Sequence, residues 1–263
     1  SILLKPGRFE PHEWEVMKKH ASIGVSCEGD RPAICTTRAP GRNPRPHSGV
    51  ARSDRRAYLM RQDMRKDCTM SAPIHRIFGR PLDAEMPKGY DQAIFGMGCY
   101  WGVERLFWQQ EGVWLTEVGF AGGTAENPSY KQVCAGGTGH AEVVRVVYDS
   151  SRVSYERLLQ IFWENHDPTQ GNRQGNDVGS QYRSLIMVFN DSQKAAAELS
   201  KADYGNRLAV QGYPDITTQI IPAGPFWRAE DDHQQYLDRY PNGYCGLRGT
   251  GVKAPLTDTA EGY

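Results

Sequence analysis

The sequence predicts an α+β fold, one domain with helices packed on a mixed β-sheet and a long irregular C-terminal coil. Three observations lead to it. Strand and helix signals alternate from residue 90 onward. The run Ala141–Tyr148 is rich in β-branched residues and reads as the clearest strand of the chain. Beyond Pro241 regular patterning stops, and glycines recur at 243, 246, 249 and 251.

The elements follow in order. Ile94-Phe95-Gly96-Met97 is short and apolar like a buried strand, and Val103, Leu106, Phe107 and Gln110 then recur at helical spacing. Val113 to Phe120 nearly alternates and ends at Ala121-Gly122-Gly123. After Asn127-Pro128, Ser129 to Cys134 reads as a short helix or turn. The Ala141–Tyr148 strand comes next. Ser154 then caps a helix from Tyr155 to Asn165, in which Leu158, Leu159, Phe162 and Trp163 form an apolar stripe. Asp167 to Gln181 is a loop with glycines at 171, 175 and 179. Leu185–Phe189 resumes a strand, Asp191-Ser192 opens a long helix, Thr217–Ile221 is strand again, and Asp231–Tyr240 makes a last short helix.

Composition bounds the function. The 263 residues are 39% hydrophobic, enough for a real core, while a mean hydropathy of -0.62 indicates that not all of the chain folds compactly. No run approaches the ~18 apolar residues needed to cross a bilayer, and Ser1-Ile2-Leu3-Leu4 is stopped at once by Lys5 and Pro6, unlike a signal peptide. The six cysteines are scattered without a CxxC pair, so neither a zinc site nor a disulfide scaffold is indicated and the expected setting is reducing and cytoplasmic. Zero net charge hides an asymmetry, because residues 1–69 hold 14 Lys/Arg against 8 Asp/Glu. Residues 1–88 read as a basic, poorly ordered N-terminal extension, with Met70 a candidate true start and residues 89–263 the folded domain. The basic arm is expected to be solvated tail rather than a nucleic-acid surface. Within it Cys27, Cys35, His12 and His20 are of metal-ligating type, but the Cys-x7-Cys spacing matches no common site.

The chemistry centres on Gly96-Met97-Gly98-Cys99-Tyr100-Trp101-Gly102, which sets Cys99 where a strand hands over to a helix. There the first backbone N–H groups lack intrahelical partners and favour an anion, so a thiolate of lowered pKa is expected. Tyr100 and Trp101 would wall a small apolar pocket. Glu142 opens an otherwise apolar strand after Thr138-Gly139-His140-Ala141, where partial desolvation would let it keep a proton near neutral pH. Asp177 and Tyr182 lie in a glycine-rich loop entering a strand. His140, His166 and His233 are candidate general bases, and Cys245 is a thiol on the tail able to reach a second sulfur.

Gly96–Glu104, Gly139–Val143, Asn165–Pro168, Asp177–Arg183, Glu230–Tyr236 and Gly243–Gly246 together resemble the peptide methionine sulfoxide reductases of the A type, in the family's order, over about residues 90 to 252. Residues 1–88 match no known pattern. The resemblance implies a ferredoxin-like two-layer sandwich, with a recycling tail from about residue 241. It implies reduction of methionine-S-sulfoxide, free or in proteins, without metal or organic cofactor. Cys99 would attack the sulfoxide sulfur, while Glu142 serves the oxygen, aided by Tyr130 and Tyr182. Asp177 would organise the pocket, and Tyr100 and Trp101 would hold the substrate methyl. The resulting Cys99 sulfenic acid would condense with Cys245, and thioredoxin or a similar dithiol would restore both thiols. The expected enzyme is monomeric and makes no membrane contact.

Two departures stand out. The family usually has Phe where this chain has Tyr100, which keeps the aromatic wall and adds a hydroxyl. Many relatives also carry one further cysteine after the tail's Gly-Val, whereas Gly251-Val252 is followed here by Lys253-Ala254-Pro255. The relay would then run from a Cys99–Cys245 disulfide directly to the reductant, with Cys134 the other thiol of the matched region. The rival readings are a cysteine hydrolase or acyltransferase using a histidine base, and a non-catalytic thiol redox sensor.

Overall fold

The computed structural model describes residues 72–255. The expectations for residues 1–69, including the Met70 start, lie outside the described residues.

A six-stranded sheet organises the chain. Its strands are β1 (Tyr90–Met97), β2 (Val113–Ala121), β3 (Ala141–Asp149), β6 (Ser184–Val188), β7 (Gln219–Pro222) and β8 (Trp227–Arg228), in the spatial order β7-β6-β1-β3-β2-β8. Only the β6–β7 pair is parallel. Between strands lie α1 (Tyr100–Trp108), α2 (Tyr130–Ala135), α3 (Tyr155–Asn165) and α4 (Asp191–Val210), and α5 (Tyr236–Arg239) follows the last strand. A two-stranded ribbon, β4 (Arg173–Gln174) with β5 (Asp177–Val178), stands apart. The path β1-α1-β2-β3-α3-β6, laid out as β6-β1-β3-β2, is the split β-α-β arrangement of a ferredoxin-like sandwich.

Alternation along the strands decides what faces the site. Successive side chains of a strand point to opposite faces. Ala93, Phe95 and Met97 of β1 and Val144, Val146 and Tyr148 of β3 join the core beneath α1 and α3, together with Cys99, Tyr100, Trp101, Leu158 and Phe162. Glu142 is in phase with Val144 and Val146, so the carboxylate opens the stripe that the helices cover. Ile94, Ala141, Val143, Leu185 and Met187 form the core of the other face.

The structure adjusts several boundaries. Residues 73–88, assigned above to the extension, belong to the domain: Leu82 is fully buried against Leu115 and Val147, and Ile74 bridges Pro81. A back face with this much apolar surface needs a cover, and that segment supplies part of it. The long helix is capped by Asn190, whose side chain accepts the Gln193 N–H, rather than by Asp191. The last helix is only four residues long, because Gln235 adopts a left-handed conformation (φ 47°) that breaks helical geometry just before it. The Asp167–Gln181 loop contains the β4–β5 ribbon, and β8 is too short to give a periodic signal. Beyond Arg239 the described chain is irregular, as expected.

Candidate active site

Cys99 is the N-cap residue of α1, held at the mouth of the helix by the turn at Gly98 (φ 93°). A side chain at Gly98 would also strike Gln174, whose Cβ lies 2.7 Å from where a Cβ would be. The N-terminal N–H groups of α1 find partners within the site. The Tyr100 N–H donates to Glu142 Oε2 (3.1 Å), and the Trp101 N–H is a hydrogen-bond donor to the Cys99 sulfur. The acid and the nucleophile are therefore tied to adjacent backbone groups of a single helix turn.

The expected lowered thiol pKa is corrected. Burial, with Cys99 only 5% exposed, pushes the thiol well above its ordinary value, and the charges of Glu142 and Asp177 push it further. The Trp101 N–H acts in the downward direction, as a helix start should, but is outweighed by desolvation. Glu142 behaves as expected and more strongly. It is fully buried, desolvation pushes its carboxyl up to about 8, and Oε1 has no hydrogen-bond partner among the described residues. The resting pair at neutral pH is thus a thiol beside a neutral carboxylic acid.

Aromatic groups close the site. Trp101 stacks on Tyr236 (centroids 3.9 Å apart) and donates its indole N–H to His233 Nδ1 (3.3 Å). His233 packs in turn against Tyr130 (4.4 Å) and Tyr100 (5.7 Å). Burial raises the Tyr130 and Tyr182 phenols far above their usual range, and both feel the Glu142 charge, so their hydroxyls stay protonated donors. Cys134, on α2, is buried beside Tyr130, and its thiol is pushed up to about 12. Asp177 is buried at the start of β5, pushed up to about 6 by desolvation, and accepts the Tyr244 hydroxyl (3.0 Å).

The histidines do not serve as bases for Cys99. His140 Nδ1 accepts the Gly123 N–H (3.1 Å) and its Nε2 donates to the Ala125 carbonyl (2.7 Å). His166 joins the Phe162 carbonyl to Ser184 Oγ, and burial lowers it to about 4. His233 Nδ1 takes the Trp101 N–H, making this ring part of the pocket wall. The hydrolase reading loses its base.

One buried acid was not singled out from the sequence. Glu104 lies on the inner stripe of α1 and accepts the Thr116 hydroxyl (3.2 Å), the Gln235 N–H (2.7 Å) and the Gln235 amide (2.7 Å). His75 Nδ1 accepts the Ile77 and Phe78 N–H groups, so Nε2 carries the proton and donates to Thr116 Oγ1 (2.9 Å). Desolvation raises Glu104 to about 7 against these three donors. The clasp fixes Gln235 in its left-handed conformation one residue before Tyr236, and so sets the ring that backs Trp101. The available signal was position: Glu104 is four residues after Tyr100 and three before Phe107, on the apolar face.

Cys245 is not on a loose tail. Its sulfur rests against the bare backbone of Gly102, where a Cβ would come within 2.7 Å of it. Tyr244 beside it is bound to Asp177. Farther on, the Ala254 N–H donates to Glu164 Oε1 (3.0 Å), the Tyr204 hydroxyl meets Thr250 Oγ1 (2.8 Å) and Val252 O (3.2 Å), and Gln160 donates to Ala254 O (2.8 Å). Cys99, Cys134 and Cys245 are all free thiols, and Cys245 is the exposed one. Among the described residues no group of three or more His, Cys, Asp or Glu side chains is placed to hold a metal ion, and no helix is long and apolar enough to cross a membrane.

A buried thiol on a helix start, a neutral carboxylic acid tied to the same turn and a second thiol docked alongside define a thiol-dependent oxidoreductase site. Comparison with known proteins agrees. A family model described as peptide methionine sulfoxide reductase matches residues 91–260. Peptide methionine sulfoxide reductase MsrA of Rhodospirillum centenum is 58% identical over 183 residues, covering 70% of this chain and 84% of that protein. MsrA of Pseudomonas aeruginosa PAO1 is 56% identical over 191 residues, covering 72% and 89%. Among solved structures, methionine sulfoxide reductase A of Corynebacterium diphtheriae superposes with a TM-score of 0.59 at 40% identity, covering 70% of this chain and 90% of that one. Reduced Mxr1 of Saccharomyces cerevisiae gives 0.55 at 31% identity, covering 65% and 95%. This chain belongs to the peptide methionine sulfoxide reductase family.

Proposed function

We propose that this protein reduces the S epimer of methionine sulfoxide, free or within proteins, through a sulfenic acid on Cys99. The observation that carries the reading is Glu142: a buried carboxyl protonated at neutral pH, bound through one oxygen to the Tyr100 N–H, with its other oxygen unpartnered beside the thiol. A sulfoxide oxygen is the kind of acceptor such a group serves. Glu142, helped by the Tyr130 and Tyr182 hydroxyls, gives its proton to that oxygen, while the Cys99 sulfur attacks the sulfoxide sulfur and returns the thiol proton to the carboxylate. The attack joins the Cys99 and substrate sulfurs, and the protonated oxygen takes the second proton from Glu142 and leaves as water with the S–O pair. Water then attacks the Cys99 sulfur and returns a proton to Glu142, the S–S bond breaks, and Cys99 is left as S–OH. The substrate sulfur keeps the electron pair of the broken S–S bond and leaves as methionine, reduced by two electrons while Cys99 is oxidised by two. Burial raises the thiol pKa and the Glu142 charge raises it further, so Cys99 ionises at least cost while Glu142 is neutral, and nucleophile and acid are coupled. Tyr100 and Trp101 wall the substrate methyl, and Asp177 holds the loop.

Cys245 then condenses with the sulfenic acid, releasing water. Because Cys245 is exposed and Cys99 buried, the reductant, thioredoxin or a similar dithiol, attacks the Cys245 sulfur of the disulfide. Cys99, Cys134 and Cys245, the cysteines among the described residues, are free thiols, which suits a reducing, cytoplasmic setting. The test is incubation with dithiothreitol and each methionine sulfoxide epimer. Methionine is expected from the S epimer alone and none from Cys99→Ser. A protein that forms a disulfide with peroxide yet releases no methionine would be a redox sensor instead.

A further inference from the structure

We propose that Gly102 is the docking slot for the resolving thiol, a positioning residue that sets the rate of disulfide formation without serving sulfoxide reduction. The proposal rests on the reading of Cys99 and Cys245 given above. Gly102 is buried in the first turn of α1, and a Cβ there would meet Cys245 Sγ at 2.7 Å, Leu247 Cβ at 3.2 Å and Cys245 Cβ at 3.9 Å. Real methyl groups do not sit 2.7 Å from a sulfur, so the sulfur occupies the volume that any other side chain would fill.

Two further features make the slot a device for this step. Gly102 follows Cys99 by three residues, and positions three apart on a helix share a face. A sulfur seated on Gly102 therefore lies on the nucleophile's side of α1, and Cys245 is among the groups acting on Cys99 electrostatically. The chain carrying Cys245 is also fixed on both flanks. Tyr244 is bound to Asp177 on one side, and on the other Gly249 abuts the Glu164 carbonyl, a contact that leaves no room for a side chain. Within so short a span the sulfur can shift little without breaking one of these bonds. Helix propensity runs the other way, since glycine inside a helix costs about 0.5–1 kcal/mol relative to alanine. What the glycine provides here is room.

The step itself balances. Cys245 Sγ bonds to Cys99 Sγ, the S–O bond of the sulfenic acid breaks, and the hydroxyl leaves with the Cys245 thiol proton as water. Cys99 is reduced by one electron equivalent and Cys245 oxidised by one.

The experiment uses the full chain carrying Gly102→Ala, reacted anaerobically with methionine-S-sulfoxide and no reductant. Methionine release in the first turnover is expected at the wild-type rate. The Cys99–Cys245 disulfide is expected to form about tenfold more slowly or worse, by the sensitivity of intramolecular reactions to small misplacement. Mass spectrometry should find Cys99 trapped by dimedone in the variant and not in the wild type. Thermal melts of Gly102→Ala, Cys245→Ala and the double variant supply a second readout: Cys245→Ala should restore stability lost through Gly102→Ala, because the clash needs both side chains. Disulfide formation at the wild-type rate, or strictly additive melts, would overturn the slot. Absence of methionine from wild type and variant alike would overturn the underlying reading, and the slot with it.

Discussion

The wall that reduces and the strap that recycles are built differently. Cys99 and Glu142 stand on α1 and β3 at the centre of the sheet, tied through adjacent N–H groups of one helix turn. Cys245 stands on chain without regular structure, held by side-chain bonds to Asp177, Glu164, Tyr204 and Gln160. Proton donation tolerates little misplacement, so its groups sit on rigid elements. The second thiol must meet Cys99 and then be presented to a partner, so it sits where bonds can be broken singly. Substitutions of the reacting groups of the wall, Cys99 and Glu142, should therefore cost orders of magnitude in methionine formation, and those in the strap small factors in turnover.

Glu142→Gln should break the wall most completely. Glutamine still accepts the Tyr100 N–H but has no acidic proton, so kcat/KM for sulfoxide reduction should fall by about 100- to 1000-fold, while alkylation of Cys99 by iodoacetamide changes far less. In the wild type the acid form is lost as pH rises through about 8, so sulfoxide reduction should decline there. Stability should show the same sign. The folded carboxyl binds its proton more tightly than the unfolded one, so its contribution is full below about 4.5 and is lost as pH rises towards 8. Glu142→Gln should therefore melt higher than wild type at pH 8.5 and nearly level with it at pH 4.5.

Glu104→Ala tests whether the backing of the wall is as rigid as the wall. It leaves the Thr116 hydroxyl, the Gln235 N–H and the Gln235 amide without their buried acceptor. Each such orphan costs about 1–3 kcal/mol, with partial relaxation of the left-handed turn. A loss of about 3 kcal/mol, or roughly 10 °C in melting temperature, is expected by calorimetry, with KM for sulfoxide raised because Tyr236 no longer backs Trp101. Unchanged melting would show that Gln235 needs no clasp.

Tyr244→Phe probes the strap. It removes the hydroxyl that Asp177 accepts, a charge-assisted bond once pH exceeds about 6. Loss of one such bond is worth about 1 kcal/mol, so thioredoxin-driven turnover should fall about fivefold, with first-turnover methionine release little changed. Equal losses in both would mean that strap and wall work as one unit.

This contrast also explains what was legible in the sequence. Periodicity located β1, β2, β3, α3 and β6 within a residue or a few, because each buries a continuous stripe. It could not see the β4–β5 ribbon or β8, whose two-residue strands are too short to carry a periodic signal. Glu142 was legible as a carboxylate near the start of an otherwise apolar strand. The sign of the Cys99 shift was not, because it depends on how completely the fold excludes water: the helix-start effect is present and loses to burial. Glycine-rich sequence after Pro241 read as an irregular coil with Cys245 on a flexible tail, although Gly246 and Gly249 within it, and Gly102 on α1 facing it, are points of close approach between strap and domain. Composition reports the absence of side chains. It does not report what fills the space.

The smallest effect should come from Tyr100, where the resemblance leads one to expect phenylalanine. Its ring is an ordinary part of the wall, 6.0 Å from Phe120 and 5.7 Å from His233. Its hydroxyl is buried without a hydrogen-bond partner among the described residues, and burial drives its pKa far up, so it remains an unmatched O–H. An unmade buried hydrogen bond costs about 1–3 kcal/mol, some of it recovered by packing. Tyr100→Phe removes that cost and keeps the ring, so the melting temperature should rise by about 2–4 °C. A fall instead would mean that the hydroxyl binds something in solution, and the first place to look would be the unpartnered oxygen of Glu142.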